Sequence, residues 1–514
     1  MSDQPWDAIV IGSGVGGLAC AAALTKAGRH VLVLEQHSVA GGLTQTFSRN
    51  GYTWDVGVHY LGQMAPGGKA RRVLDWLSDS AIDFASVGPV YDTVRFPDGF
   101  EFQFSRPEHA LRQDLVEKFP RSERDIDAFF AALAAAERAG PALFARRAMP
   151  GWIGALYGLL RGAGVRKWWD RTTAEVIGEL IGQPRLRSVL LAAWGDHGGH
   201  PATASFGMQA TVMRHYLQGA YYPLGGAKSF ADGLVAAIER GGGSVRTRAQ
   251  VLELTVQAGK VDGVRLAGGE TIASRAVFSD AGAINTVTRL LPAAARESAW
   301  ARELLSFAPS VGHIQLYLGL EGNIRALGAT SSNYWIYDTW DTDAALWDDP
   351  FDQATPPAVF VAFPTLKDPA HEPGPAQRQT AEVVAFTGWD VFKQWEQTQL
   401  GGRPPEYQAF KDLIERCLFA QFERHFPALA PLVRCRELST PLSTAAFTGA
   451  YQGASYGLEV TPRRFRSTAL SARTPVPGLF LTGQDVVSPG VTGAMMGGVM
   501  AAAALDPRLA RWLL

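Results

Sequence analysis

The 514-residue sequence predicts an α/β protein, and its first 35 residues carry that expectation. Residues 7–11 (DAIVI) are a short apolar run of strand type, followed at once by Gly12-Ser13-Gly14-Val15-Gly16-Gly17. The next stretch, LACAAALTKA, reads as an alanine-rich helix that Gly28 ends, and residues 30–34 (HVLVL) form a second buried strand closing on Glu35. Strand, helix and strand in about thirty residues make a βαβ unit with parallel strands. A third observation is compositional: glycine numbers 55, without a collagen-like period, against a usual share of ~7%. Glycine in such excess marks places where backbone approaches something closely.

Each part of the glycine cluster has a physical task. A G-x-G-x-x-G run between strand and helix binds a dinucleotide: Gly12 allows the tight turn, Gly14 lets a pyrophosphate reach the backbone, and Gly17 lets the helix pack closely. Val15 and Gly16 complete the run, and the helix N-terminus that follows it, with unpaired N–H groups and partial positive charge, favours the phosphate. Glu35, eighteen residues after Gly17, is placed to accept both ribose hydroxyls and speaks against a 2′-phosphate. The motif alone leaves NAD and FAD open.

Composition removes several other classes. Lys and Arg (48) against Asp and Glu (49) leave a net charge of −1, which gives no global footprint for nucleic acid. Three widely spaced cysteines exclude a disulfide framework or a cysteine-rich zinc module and suit a reducing compartment. The first seven residues carry no Lys or Arg, so no signal-peptide pattern is read there. The long uncharged run at 486–505 contains a proline and four glycines and reads as a buried C-terminal helix rather than a membrane span. The expected location is cytoplasmic, with peripheral contact at a membrane.

Beyond Glu35 come Gly41-Gly42-Leu43-Thr44-Gln45-Thr46 and Gly51-Tyr52-Thr53-Trp54-Asp55-Val56-Gly57-Val58-His59-Tyr60-Leu61-Gly62. Near the C-terminus stand Gly478-Leu-Phe-Leu-Thr-Gly483-Gln-Asp485 and Pro489-Gly490-Val491-Thr492-Gly493-Ala494. In these stretches the chain resembles the FAD-dependent amine oxidase and phytoene desaturase superfamily. Further pieces spread over the chain narrow the likeness to its retinol saturase and carotenoid isomerase branch: residues 215–226 (HYLQGAYYPLGG), Trp194-Gly195-Asp196, Lys367-Asp368-Pro369 and Ser439-Thr440-Pro441-Leu442. The resemblance implies FAD as cofactor. Gly41, Gly42, Leu43, Thr44, Val58 and His59 would line it, backbone at Val251 would meet the adenine, and Gly483 and Asp485 would stand by the ribityl–phosphate chain. Gly490, Val491 and Thr492 would point a helix N-terminus at the pyrimidine edge of the ring. One departure is Leu43, where desaturases and amine oxidases usually carry Arg.

The resemblance also implies a discontinuous Rossmann-type FAD-binding domain, at about 1–75, 215–290 and 474–514, with an α+β substrate domain from 76–214 and 291–473. A helix is expected over 125–140 and another over 230–240, then a hairpin-like strand pair within GGGSVRTRAQVLEL. Residues 144–169 place Arg146, Arg147, Arg161, Arg166 and Lys167 around an apolar segment ending in Trp168-Trp169. This pattern suits an interfacial helix on a bilayer, with a core helix or dimer contact as alternatives.

The function this implies is redox chemistry on a C=C bond of an apolar conjugated isoprenoid or polyene: saturation, desaturation or, as an alternative, cis–trans isomerisation. Amine oxidation and non-catalytic lipid binding on the same fold are further alternatives. Such chemistry needs a proton donor or acceptor beside the flavin, and the candidates are His59, Tyr60, His215 and Tyr216, with His59 foremost. Tyr221 and Tyr222 stand nearby in sequence, and Phe447, Tyr451 and Tyr456 are candidates to line a polyene tunnel. Asp196, His197 and His200 have donor chemistry for a metal, but their glycine-rich setting reads as a loop and no metal is assigned. With no second G-x-G-x-x-G unit in a βαβ setting, the redox partner must meet the flavin from outside the chain.

Overall fold

A computed structural model describes residues 5–148 and 162–513. The N-terminal pattern folds as read: Ala8–Ile11 and Val31–Leu34 are strands joined by the helix Val15–Lys26. They lie in a five-stranded sheet ordered Ser244–Arg246, Val31–Leu34, Ala8–Ile11, Val277–Ser279, Leu479–Leu481, all parallel. Its core strands are continuous apolar runs because both faces are covered. Val15–Lys26 is buried at every position except Lys26, which accounts for its alanines and its lack of a polar face. Gly28, at φ +83°, ends it: its N–H donates to Thr25 O and that of Arg29 to Leu24 O.

Within the stretch expected as a hairpin, the structure corrects the pairing. Ser244–Arg246 joins the parallel sheet beside Val31–Leu34, whereas Val251–Gln257 pairs antiparallel with Lys260–Leu266 in a separate three-stranded sheet. The tight turn lies at Gly259, not before Val251. The 230–240 helix spans Lys228–Arg240, and that at 125–140 extends to Glu123–Ala148.

A second layered unit is a seven-stranded mixed sheet, ordered Val433–Ser439, Gly312–Glu321, Arg378–Thr387, Ala358–Ala362, Asn333–Tyr337, Val90–Phe96, Phe100–Ser105. One face packs on a core with Glu108–Lys118, Glu123–Ala148, Pro184–Leu191 and Phe206–Tyr216, the other on a core with Pro405–His425. The hairpin Thr46–Arg49/Tyr52–Asp55 ties the two sheets together, with Trp54 Nε1 donating to Leu318 O at 3.1 Å.

The C-terminal run is a helix, Gly490–Leu505, packed within the first core; among the described residues no helix is long and apolar enough to cross a membrane. Half of the 144–169 segment, 149–161, lies outside the described residues, among them Arg161. Two of its flanking groups serve the interior. Arg147 is buried and donates to the backbone oxygens of Val486, Arg464 and Phe465, and Trp169 is buried with Nε1 donating to Ala136 O. A guanidinium that satisfies several carbonyls at once is held by those bonds, which is why it does not face outward.

Candidate active site

At the carboxyl end of Ala8–Ile11, where the strand order reverses, a cavity of ≈ 590 Å³ opens. Gly12, Gly14, Val15, Gly16, Glu35, Gly41, Gly42, Leu43, Thr44, Val58, Val251, Asp485, Gly490 and Val491 all line it. Thus three distant stretches of chain meet on one volume. Gly17 and Gly483 stand behind that wall. A Cβ on Gly17 would come within 2.2 Å of Gly12 O, and Gly483 is backed by Gly16 and Gly497. Gly41 docks on the first loop as a bridge to Gly14, its N–H donating to Ser13 O at 3.0 Å.

Glu35 is buried and oriented. Its Oε2 accepts from the Ser13 N–H (2.9 Å) and hydroxyl (2.7 Å), and its Oε1 from the His37 N–H (2.7 Å). At the other end Asp485 accepts from the N–H groups of Ala283 (2.8 Å) and Leu458 (3.2 Å). Gly490, at φ +82°, opens the last helix with no atom within 4 Å of the place a Cβ would take, so the helix N-terminus meets open space. Thr492 Oγ1 is buried there without a hydrogen-bond partner. Phe447, Tyr451 and Tyr456 line the same cavity.

Asp280 was not singled out from sequence. It follows the strand Val277–Ser279 and lies beneath the glycine loop, against Gly12, Gly14, Gly16 and Gly17. Burial, with the nearby Asp485 and Glu35 charges, pushes its carboxyl up to about 7 against the hydrogen bond from Gly17. The signal available was an acid directly after an apolar strand pairing with the first one.

The proton-group candidates gather in a second, polar cluster. His59 Nδ1 lies 2.8 Å from Glu382 Oε2, and the His59 backbone oxygen accepts from Lys367 Nζ at 2.8 Å. The Tyr60 hydroxyl lies within hydrogen-bond distance of both Asp196 (2.7 Å) and Asp92 (3.0 Å), with one proton of its own to donate, and its ring stacks on Tyr216 with centroids 4.5 Å apart. Lys367 also bonds Asn333, which reaches Asp92, while Tyr222 donates to Asp55. His215 adjoins this group, a Cβ on Gly62 being within 1.9 Å of its backbone oxygen. Asp196 is committed to Tyr60, His197 to Gln209 (2.7 Å) and His200 to Asp343; among the described residues no His, Cys, Asp and Glu cluster has metal-holding geometry.

Burial sets the ionisation of this cluster. It drives His59 down to about 3, with Lys367 acting in the same direction, and His215 down to about 4. It raises Glu382 to about 8 against the pull of Lys367, and brings Lys367 down to about 8 against four carboxylates. Tyr60 and Tyr216 are pushed well above the usual phenol range by burial and the Asp196 and Asp92 charges. Burial thus favours a neutral His59 ring and a protonated Glu382. Glu382 and Lys367 were not picked out as site residues. Their only signature was one acid within the apolar strand RQTAEVVAFT and one lysine after a buried turn.

Residues 10–77 match the family model described as an NAD(P)-binding Rossmann-like domain. Among solved structures, wild-type putrescine oxidase bound to putrescine shares the fold, with a TM-score of 0.63 at 16% identity over 98% of this chain and 99% of that one. Fold and cavity together define an α/β protein with a Rossmann-type dinucleotide-binding unit and the overall fold of that oxidase. The all-trans-retinol 13,14-reductase of Rattus norvegicus is 33% identical over 524 residues, covering 98% of this chain and 86% of the relative. A chloroplastic prolycopene isomerase of Daucus carota is 24% identical, over 96% of this chain and 79% of the relative. The chain belongs to the all-trans-retinol 13,14-reductase family, in the retinol saturase and carotenoid isomerase branch.

Proposed function

We propose that the protein is an FAD-dependent reductase of a C=C bond in an apolar conjugated polyene, of the retinoid or carotenoid class. The observation that carries this reading is the single cavity running from Glu35 past the glycine loop to Gly490 and Tyr456, lined by both ends of the chain. Its volume lies in the ~300–1,000 Å³ range of cofactor sites. The residues present fit FAD. Glu35 keeps lone pairs for ribose hydroxyls, Gly14 and Gly42 present bare backbone to the cavity where a diphosphate would lie, and the open N-terminus at Gly490 offers unpaired N–H donors to an electron-rich ring edge. Bound there, FAD supplies hydride exchange.

The chain's own residues supply the rest. His59 follows Val58 of the cavity wall, keeps 14% of its side chain exposed, and presents Nε2 without a hydrogen-bond partner among the described residues. Its role is to give a proton to the second alkene carbon. Phe360, 4.9 Å from the His59 ring, and the stacked Tyr60 and Tyr216 keep water from that face. The cofactor half is drawn from about 1–75, 215–290 and 474–514. A reductant outside the chain reloads the site, since one glycine loop provides one dinucleotide site, and peripheral membrane contact stays a proposal from the sequence pattern of the 144–169 segment, with Arg147 and Trp169 turned to the interior.

The test is anaerobic reduction of the purified flavoprotein, incubation with retinoids, carotenoids and unsaturated fatty acids, and mass analysis of the extract. Products with two more hydrogens are expected. Products of unchanged mass would favour isomerisation, the second reading, which the likeness to prolycopene isomerase supports. Flavin reduction by amines with no effect of polyenes would overturn both, and a purified protein that stays colourless with added FAD would end the flavin assignment.

A further inference from the structure

Glu382 is an acid in the middle of a ten-residue strand, Arg378–Thr387, with no exposed surface. Such a group is retained only if it is paired or kept neutral. We propose that Glu382 is a positioning and proton-supplying residue that acts through His59: its carboxylic acid donates to His59 Nδ1, holds the ring with Nε2–H toward the substrate, and re-protonates the ring as that proton leaves. This rests on the polyene reductase reading and names the source of its proton.

The contact itself is 2.8 Å between Glu382 Oε2 and Nδ1, and the Asp55 backbone also faces the buried carboxyl and favours its ionised form against the burial. The groups facing Glu382 decide which atom carries the proton. The hairpin strand brings Asp55, bonded to Tyr222; the neighbouring strand Gly312–Glu321 brings Tyr317 directly opposite; the 364–366 turn brings Lys367. Asp92 and Asp196 lie on the far side of Lys367 and Tyr60. Four carboxyl groups thus share one buried ammonium, so ionising all of them at once would leave uncompensated charge in the interior. His59 cannot supply the missing positive charge, because burial and Lys367 both oppose its protonation. Protons therefore stay on carboxyl groups, and Glu382, raised to about 8, keeps one at neutral pH.

The step balances. The His59 Nε2–H bond breaks as a C–H bond forms at the alkene carbon, and the Glu382 O–H bond breaks as Nδ1–H forms. The ring stays neutral throughout, and the negative charge of the delivered hydride ends on the Glu382 carboxylate, facing Lys367. Solvent then returns a proton to Nε2 while the Nδ1 proton goes back to Glu382.

The holoprotein with ¹⁵N-labelled histidine provides a readout independent of turnover. Near neutral pH, wild-type His59 should be a neutral ring with hydrogen on Nε2, and Glu382→Ala should lose that preference. Glu382→Gln can still donate to Nδ1 but carries no transferable proton. It should keep the tautomer, flavin content and KM while kcat falls by ~10²-fold, the scale of general acid catalysis. Wild-type kcat should decline as pH rises through about 8, and the variant should lack that limb. A wild-type imidazolium or Nδ1–H ring, a pH-independent wild-type rate, or an undiminished kcat in Glu382→Gln would each overturn the relay. If no polyene is turned over by wild type, the reductase reading fails, and the tautomer still decides the Glu382–His59 pair.

Discussion

Asp280 shows how one buried carboxyl can govern a binding site. It sits beneath the glycine loop, close to where that motif brings a diphosphate, and its carboxyl titrates at about 7 because burial and the charges of Asp485 and Glu35 oppose ionisation. Ionised, it adds a negative charge beside an anionic ligand; protonated, it does not. Affinity for FAD should therefore fall as pH rises through about 7, and Asp280→Asn should flatten that dependence, read by titration of flavin fluorescence. Glu35 makes the opposite contribution. Glu35→Ala strips the acceptor from Ser13 and His37 and from the ribose, and should weaken FAD by about 10²-fold in the same titration, equivalent to two or so charge-assisted hydrogen bonds. Each effect follows from a few atoms, and the residue is the scale at which it can be tested.

Among the secondary-structure elements, the decisive contact is between the first and last helices. Val15–Lys26 and Gly490–Leu505 approach so closely that a Cβ on Gly498 would lie 2.3 Å from Gly16 O and 2.8 Å from Cys20 N. These are backbone atoms and cannot swing away. Gly498→Val should cost at least the ~1–3 kcal/mol of an overpacked core, read as a lower melting temperature. It should also weaken FAD, because the displaced atom belongs to the glycine loop. The same contact explains the unbroken apolar character of residues 490–505. A helix buried continuously from Gly497 to Ala502 needs no polar face there, and glycine permits the approach. By contrast, Ser244–Arg246 illustrates what local pattern cannot decide. Its three residues could pair with any neighbour, and the open edge beside Val31–Leu34 claimed them.

For the molecule as a whole, burying many ionisable groups makes stability depend on pH, and the sign can be worked out. Asp55, Asp280 and Glu382 hold their protons to about 7, 7 and 8 in the folded state. Unfolded, they release them near ~4, so their contribution is complete below ~4 and is lost as pH rises through 7 to 8. The buried neutral histidines, His59, His197, His215 and His313, are depressed to about 3 to 4, so theirs is present above ~6.5 and lost as pH falls toward 4. The two trends oppose each other between ~4 and ~6.5, and above that the acids act alone. Melting temperature should change little between about pH 5 and 6 and drop between about pH 6.5 and 8, with a shallower drop in Asp280→Asn.

The dinucleotide half was legible because its signal is local. Strand, Gly12 to Gly17, helix and Glu35 lie within 35 residues, and the steric demands of a phosphate on backbone leave few residue choices. The stretches around Gly41, Val58, Asp485 and Gly490 could be assigned to the same site by resemblance, since each carries its own glycine pattern. The polar cluster was legible only in part. His59 and Tyr60 stood within a recognisable motif; Lys367 stood in the Lys367-Asp368-Pro369 piece without any sign of a site role, and Glu382, from more than 300 residues away, has no pattern of its own. What made them a site is that the seven-stranded sheet carries them into the interior beside His59. Sequence by itself determined which backbone must meet a dinucleotide, because that depends on chemistry between near neighbours. Which buried acid keeps a proton, and which ring it serves, was decided by the tertiary structure alone, because desolvation and opposing charge exist only once distant segments have packed together.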